Sequence, residues 1–145
     1  MLNIAVLVSG GGTNLQALID TQNRSEITEG RIAVVISSRE DAYALERAKK
    51  AGIPTEIIIR KTYSSQEEYD TALLEILDRY QIGLIVLAGF MTIISGNVIR
   101  HYENKMINVH PALIPSFCGE GFYGLRVHKA VLEKGVKLTG ATVHF

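Results

Sequence analysis

Missing from this sequence of 145 residues are a net charge, a cysteine pair and any apolar run long enough for a bilayer. Fifteen basic residues balance fifteen acidic ones, whereas proteins that grip duplex nucleic acid by neutralising its phosphates carry a basic excess. Nucleic acid is therefore not an expected partner. A spanning helix needs about 20 consecutive apolar residues, and no stretch approaches that, so no membrane is expected either. Met1 to Val8 is apolar but lacks a basic leading segment and meets glycines too early for a secretory signal. The one cysteine, Cys118, cannot form an internal disulfide, which fits a cytoplasmic setting. With no base motif beside it, Cys118 reads as an ordinary loop thiol. No internal repeat, linker or low-complexity tract interrupts the chain. Its length suits one domain, and 47% hydrophobic residues are enough for a core.

Short apolar runs rich in Val and Ile recur at Asn3 to Val8, Ile32 to Ile36, Glu56 to Ile59, Leu84 to Ala88, Met106 to Val109 and Ala141 to Phe145. They read as strands buried on both faces. Amphipathic stripes lie between most of them. Leu15, Leu18 and Ile19 make one; Ala44, Leu45, Ala48 and Ala51 make a second, closed by Gly52; Tyr69, Leu73, Ile76, Leu77 and Tyr80 make a third. Ser64 or Ser65, each followed three residues later by Glu67 or Glu68, predicts a capping box at the start of the third. Val127 to Lys134 is a further helix, stopped by Gly135. Strands alternating with helices predict an α/β fold with a doubly wound, mostly parallel sheet, in which ligands sit beyond the carboxyl ends of the strands. Ser9 to Thr13, Gly89 to Ser95 and His110 to Gly124 fall there. The stretch Ser116 to Gly124, with three glycines and three aromatics, is one long irregular loop: a lid or binding loop, or a plain surface loop.

Met106 to Pro115 holds the most chemistry. Its apolar run ends in Asn108 and His110, two residues apart and so on one side of a strand. An amide that donates and an imidazole that exchanges a proton near pH 7 are what acyl transfer needs at a developing oxyanion. A turn-forming Asn and a structural His explain the same spacing.

Ser9-Gly10-Gly11-Gly12-Thr13-Asn14-Leu15-Gln16 follows a strand and opens a helix, where free amides and the helix dipole favour an anion. Thr13 with Gln16 also fits a capping box, so helix initiation accounts for part of the pattern. Gly10 and Gly12 match the start of a dinucleotide fingerprint, but Leu15 stands at its third glycine, and the second strand ends Ser37-Ser38-Arg39 without an acid for a ribose hydroxyl. Arg39 suits a 2′-phosphate, which keeps a phosphorylated dinucleotide open. No G-x-x-x-x-G-K-[ST] occurs. A compact phosphate monoester fits best.

Taken together, Ser9 to Gln16, Leu87-Ala88-Gly89-Phe90-Met91, Asn108-Val109-His110-Pro111 with Leu113-Ile114-Pro115, and Gly140-Ala141-Thr142-Val143-His144-Phe145 resemble the folate-dependent phosphoribosylglycinamide formyltransferases of purine biosynthesis. The likeness runs from the first strand to the last residue, and four motifs in the right order are highly specific. It implies a Rossmann-like single domain, 10-formyltetrahydrofolate as co-substrate, glycinamide ribonucleotide as acceptor and no metal. It further implies a phosphate held by Gly11, Gly12, Thr13 and Asn14, a folate met by Met91, Thr92, Ile93, Ile94 and Asn108, and Asn108 with His110 as catalytic residues. A cis Ile114-Pro115 bond is implied as well, in a monomer or a homodimer.

Three departures stand out. Thr92 sits where many members carry Arg, and the Cys118 to Gly124 stretch is longer than in short-looped members. The catalytic Asp of the family lies beyond the strand that ends this chain, so residues 1–145 read as a truncated domain. His144 is expected to be a buried structural His, ahead of a supporting role near the site; His128 either edges the ribonucleotide pocket or is solvated, and His101 is read as surface. Other enzymes on the same fold act on initiator methionyl-tRNA, on nucleotide sugars, or on formyltetrahydrofolate with water. A phosphate-binding module without catalysis is the alternative of another class.

Overall fold

A computed structural model describes residues 1–145. In chain order the elements are β1 (Leu2–Val8), α1 (Thr13–Asn23), β2 (Gly30–Ser37), α2 (Tyr43–Lys50), β3 (Thr55–Ile57) and a 3-10 turn (Arg60–Thr62). There follow α3 (Gln66–Arg79), β4 (Leu84–Leu87), α4 (Gly96–His101), β5 (Met106–His110), α5 (Leu125–Lys134) and β6 (Thr142–His144). The sheet runs β3-β2-β1-β4-β5-β6, parallel except for β6, which pairs antiparallel with β5. This is the doubly wound α/β fold expected from the alternation of runs and stripes. No helix is long and apolar enough to cross a membrane.

The period of two along β1 divides the core. Ala5 and Leu7 pack with Tyr69, Leu73 and Leu77 of α3 and Val98 of α4, while Ile4, Val6 and Val8 pack with Leu15 and Ile19 of α1 and Ala44 and Ala48 of α2. Covered on both faces, β1 and β2 must be apolar throughout, which is why they are legible as continuous runs. The outer strands differ from expectation. Residues of β5 are only half-buried, although Met106 and Ile107 still pack against the two core clusters, and Val143 in β6 is 62% exposed.

Helix ends follow local chemistry. Ser65 Oγ caps α3 by accepting the Glu68 N–H at 3.1 Å, and the Glu68 carboxylate reaches back to the Ser64 N–H and hydroxyl at 3.2 and 2.6 Å. The capping box thus spreads over both serines. The box expected from Thr13 and Gln16 does not form: Gly12 is the N-cap, Thr13 lies inside the helix, and the Gln16 side chain bonds Asp20 and Arg47. Gly135, at φ 69°, ends α5 as expected. The short α4, with Val98 as its one buried residue, carries no stripe to reveal it. Its cap, Ser95, donates to buried Asp70 at 2.6 Å, and Gln66 donates to the same carboxylate.

Tyr69 is fully buried with no hydrogen-bond partner for its hydroxyl. Burial pushes the phenol from 10.0 up to about 12. A pKa raised on folding stabilises below the unfolded value, and that contribution is lost as pH climbs through the folded one. Urea midpoints of the parent are therefore expected to fall between about pH 10 and pH 12. Tyr69→Phe should flatten that fall without lowering the midpoint at pH 7; an unchanged alkaline slope would assign it to other groups.

Candidate active site

Strand order reverses between β1 and β4, so their carboxyl ends open the crevice where ligands sit in such sheets. The loop after β1 and the segment after β4 meet there. Ser9, buried, accepts the Met91 N–H at 2.8 Å and shares a short hydrogen bond with Ser38 at the end of β2. One hydroxyl thereby ties together residues 82 positions apart in sequence.

The glycine loop is shaped to present amides. None of the N–H groups of Gly11, Gly12, Thr13 and Asn14 has an acceptor within the protein, and Gly11, Thr13 and Asn14 are exposed. Gly12 takes φ 76°, and a Cβ there would sit 2.6 Å from the Ala44 Cβ, so only glycine lets the loop lie against α2. Arg47 clamps the loop from that helix, donating to the Gly11 carbonyl at 2.7 Å and to the Gln16 side chain at 3.2 Å. Ala44 adds an N–H to the Gly10 carbonyl at 3.0 Å. With its carbonyls held on one side, the loop offers free donors and a nearby guanidinium to an anion. Arg47 was not expected from the sequence, because its place depends on how α2 packs.

Residues Gly89 to Ile94 form no regular structure, and apart from the Met91 N–H their backbone makes no hydrogen bond within the protein. A run of free donors and acceptors suits a flat heterocycle with a polar edge. Met91 and Ile93 are 51% and 85% exposed. Beside them opens a cleft of about 700 Å³, lined by Ser38, Arg39, Ile59, Arg60, Met91 and Thr92 among others. Arg39 is paired with Asp41 at 2.8 Å, which raises the guanidinium and lowers the carboxyl, chiefly through their hydrogen bond. The phosphorylated dinucleotide reading leaned on this guanidinium.

Asn108 and His110 close the parallel part of the sheet. The rung Leu7–Leu87–Asn108 puts Asn108 two strands from β1, about 10 Å at ordinary strand spacing. His110 Nε2 lies 2.8 Å from the Phe117 carbonyl; a carbonyl only accepts, so Nε2 carries the proton and Nδ1 is left without a partner. The long loop therefore orients the histidine, a contact invisible in the spacing. No hydrogen bond joins Asn108 to His110 directly. His144 is not buried, correcting that expectation: it stands exposed on β6 opposite Asn108, with Nε2 3.4 Å from the Asn108 amide nitrogen. His128 and His101 are exposed, and Cys118, half-buried, donates its thiol to the Pro115 carbonyl at 3.1 Å.

Thr142, opposite His110, holds the turn that follows β5. Its hydroxyl donates to the Ala112 carbonyl at 2.7 Å and accepts the Ile114 N–H at 3.0 Å, beside the cis Ile114-Pro115 bond. Thr142→Val keeps the shape and removes both bonds, at an expected cost of about 1–3 kcal/mol. Faster hydrogen exchange at Ile114 is the accompanying sign, and an unchanged denaturation midpoint would show that the turn holds without it.

The family model described as "Formyl transferase" matches residues 2–145. Phosphoribosylglycinamide formyltransferase of Escherichia coli is 42% identical over 144 residues, covering 99% of this chain and 65% of its own length. The trifunctional purine biosynthetic protein adenosine-3 of Gallus gallus is 44% identical over 144 residues, or 99% of this chain, but only 14% of that much longer protein. The crystal structure of glycinamide ribonucleotide transformylase 1 from Geobacillus kaustophilus superposes with a TM-score of 0.89 at 34% identity, over all of this chain and 74% of that one.

Proposed function

The chain belongs to the formyl transferase family, and on that premise we propose that it passes a formyl group from 10-formyltetrahydrofolate to the amine of glycinamide ribonucleotide. The observation that carries the proposal is the free-amide loop Gly11 to Asn14 at the same sheet edge as Asn108 and His110, joined through Ser9 to the open backbone of residues 89–94. Two strand spacings separate loop and catalytic strand, comparable with a phosphorylated sugar bearing a short amide arm. In this reading the loop holds the 5-phosphate. Met91, Thr92, Ile93, Ile94 and Asn108 meet the folate, whose pterin edge finds donors and acceptors in the backbone.

Attack of the amine on the formyl carbon forms the new C–N bond and drives the carbonyl electron pair onto oxygen. The Asn108 amide donates to that oxygen. His110, its Nε2–H committed to Phe117, has Nδ1 open to the proton that leaves the amine. Collapse then breaks the bond to N10 of the folate, which takes up a proton. In this reading the protein acts on small molecules in the cytoplasm, as a monomer or a homodimer.

The test incubates the protein with both substrates and follows formylated ribonucleotide by mass spectrometry. Product that depends on the ribonucleotide supports the proposal. Formate released from the folate with water alone would assign a hydrolase, and ribonucleotide binding without product would assign a phosphate-binding module.

A further inference from the structure

An asparagine amide has a donating end and an accepting end of nearly the same shape, and a half-turn of the side chain exchanges them. For a residue that must donate to a developing oxyanion, the exchanged form presents a carbonyl to negative charge and fails. Something has to choose between the two, and β5 itself offers nothing that does so.

Strand β6 supplies the choice. Asn108 and His144 are direct partners across the antiparallel pair, which puts their side chains side by side on one face. His144 Nδ1 lies 2.9 Å from the Phe145 main-chain oxygen. Since that oxygen only accepts, the proton of the neutral ring sits on Nδ1 and Nε2 is left as a bare acceptor. That acceptor lies 3.4 Å from Asn108 Nδ2 and tolerates only the nitrogen end of the amide. We infer that His144 is a positioning residue, which fixes the Asn108 amide with its nitrogen toward β6 and leaves the second N–H of that nitrogen for the reacting oxygen. This rests on the formyl-transfer reading for its consequence, but not for its geometry.

The experiment has two arms. In the first, long-range proton–nitrogen correlation spectra of imidazole-labelled protein report the tautomer. A protonated Nδ1 and bare Nε2 at His144, with an Asn108 side-chain amide signal that shifts in His144→Leu, support the inference; a protonated Nε2, or an Asn108 amide indifferent to the substitution, overturns it.

In the second arm, His144→Leu is expected to lower kcat about tenfold, less than outright loss of the donor, with KM for the ribonucleotide unchanged. Gln places an acceptor where Nε2 was and should restore most of kcat, whereas Asn, which reaches only as far as Nδ1, should not. Equal turnover in the parent and the Leu variant, or a Gln variant no better than Leu, overturns the inference. In a parent that forms no product the transfer reading fails alone, and the tautomer with the Asn108 shift still decides the geometry.

Discussion

Asn108→Ala and His110→Ala are each expected to lower turnover at least about a hundredfold: loss of a single oxyanion donor costs about 3–4 kcal/mol, and loss of a positioned proton acceptor typically costs about 10²–10⁴-fold. Stability should change little in comparison. Both side chains are half-buried at the edge of the sheet, and neither belongs to the two large core clusters. Thermal melts of the variants should therefore stay close to the parent while kcat collapses. The two variants should also differ from one another. Asn108→Ala removes the oxyanion donor, one folate contact and the neighbour of His144, so its effect belongs chiefly in kcat, with a smaller rise in KM for the folate. His110→Ala also frees the Phe117 carbonyl and with it the long loop, so substrate affinity should weaken as well. Near-normal turnover in either variant, measured on purified protein with both substrates saturating, would remove that residue from the mechanism.

What was legible in the sequence is what depends on neighbours along the chain. Val6 and Leu7 sit in a strand whose two faces are covered by different helices, so the run is apolar without alternation and easily read. Gly12 announces its loop because a strand ends just before it and a stripe begins just after. The cap of α3 is visible for the same reason, although the Glu68 carboxylate turns to Ser64 rather than Ser65. Illegible features depend on register between distant segments. Ser9 meets Met91, Arg47 meets Gly11, and His144 meets Asn108, and no period or spacing encodes these. The misreading of His144 has a definite cause. Alternation along Thr142–His144 gives the residues of each face, but burial depends on what covers that face, and at β6 little does.

Gly12→Ala should be the most damaging single substitution in the anion loop. It forces a side chain into the left-handed region, at a cost of order 1–3 kcal/mol, and sets a Cβ 2.6 Å from the Ala44 Cβ and 2.8 Å from its Cα. Backbone cannot yield as a flexible side-chain tip would, so the loop must lift from α2 and break register with the Arg47 clamp. Lifting it scatters the four free N–H groups from Gly11 to Asn14, and each charge-assisted hydrogen bond to an anion contributes about 1.5–3 kcal/mol. Losing two of them predicts at least about a hundredfold weaker binding of the ribonucleotide. Gly11→Ala is the control: no atom stands within 4 Å of its added Cβ, and its φ lies outside the left-handed region. It should fold like the parent and keep its N–H groups in place. Calorimetric titration of the parent and both variants with the ribonucleotide separates the outcomes. Weak binding in Gly12→Ala alone assigns the phosphate to the ordered amides, and equal binding in all three would move the anion site away from this loop.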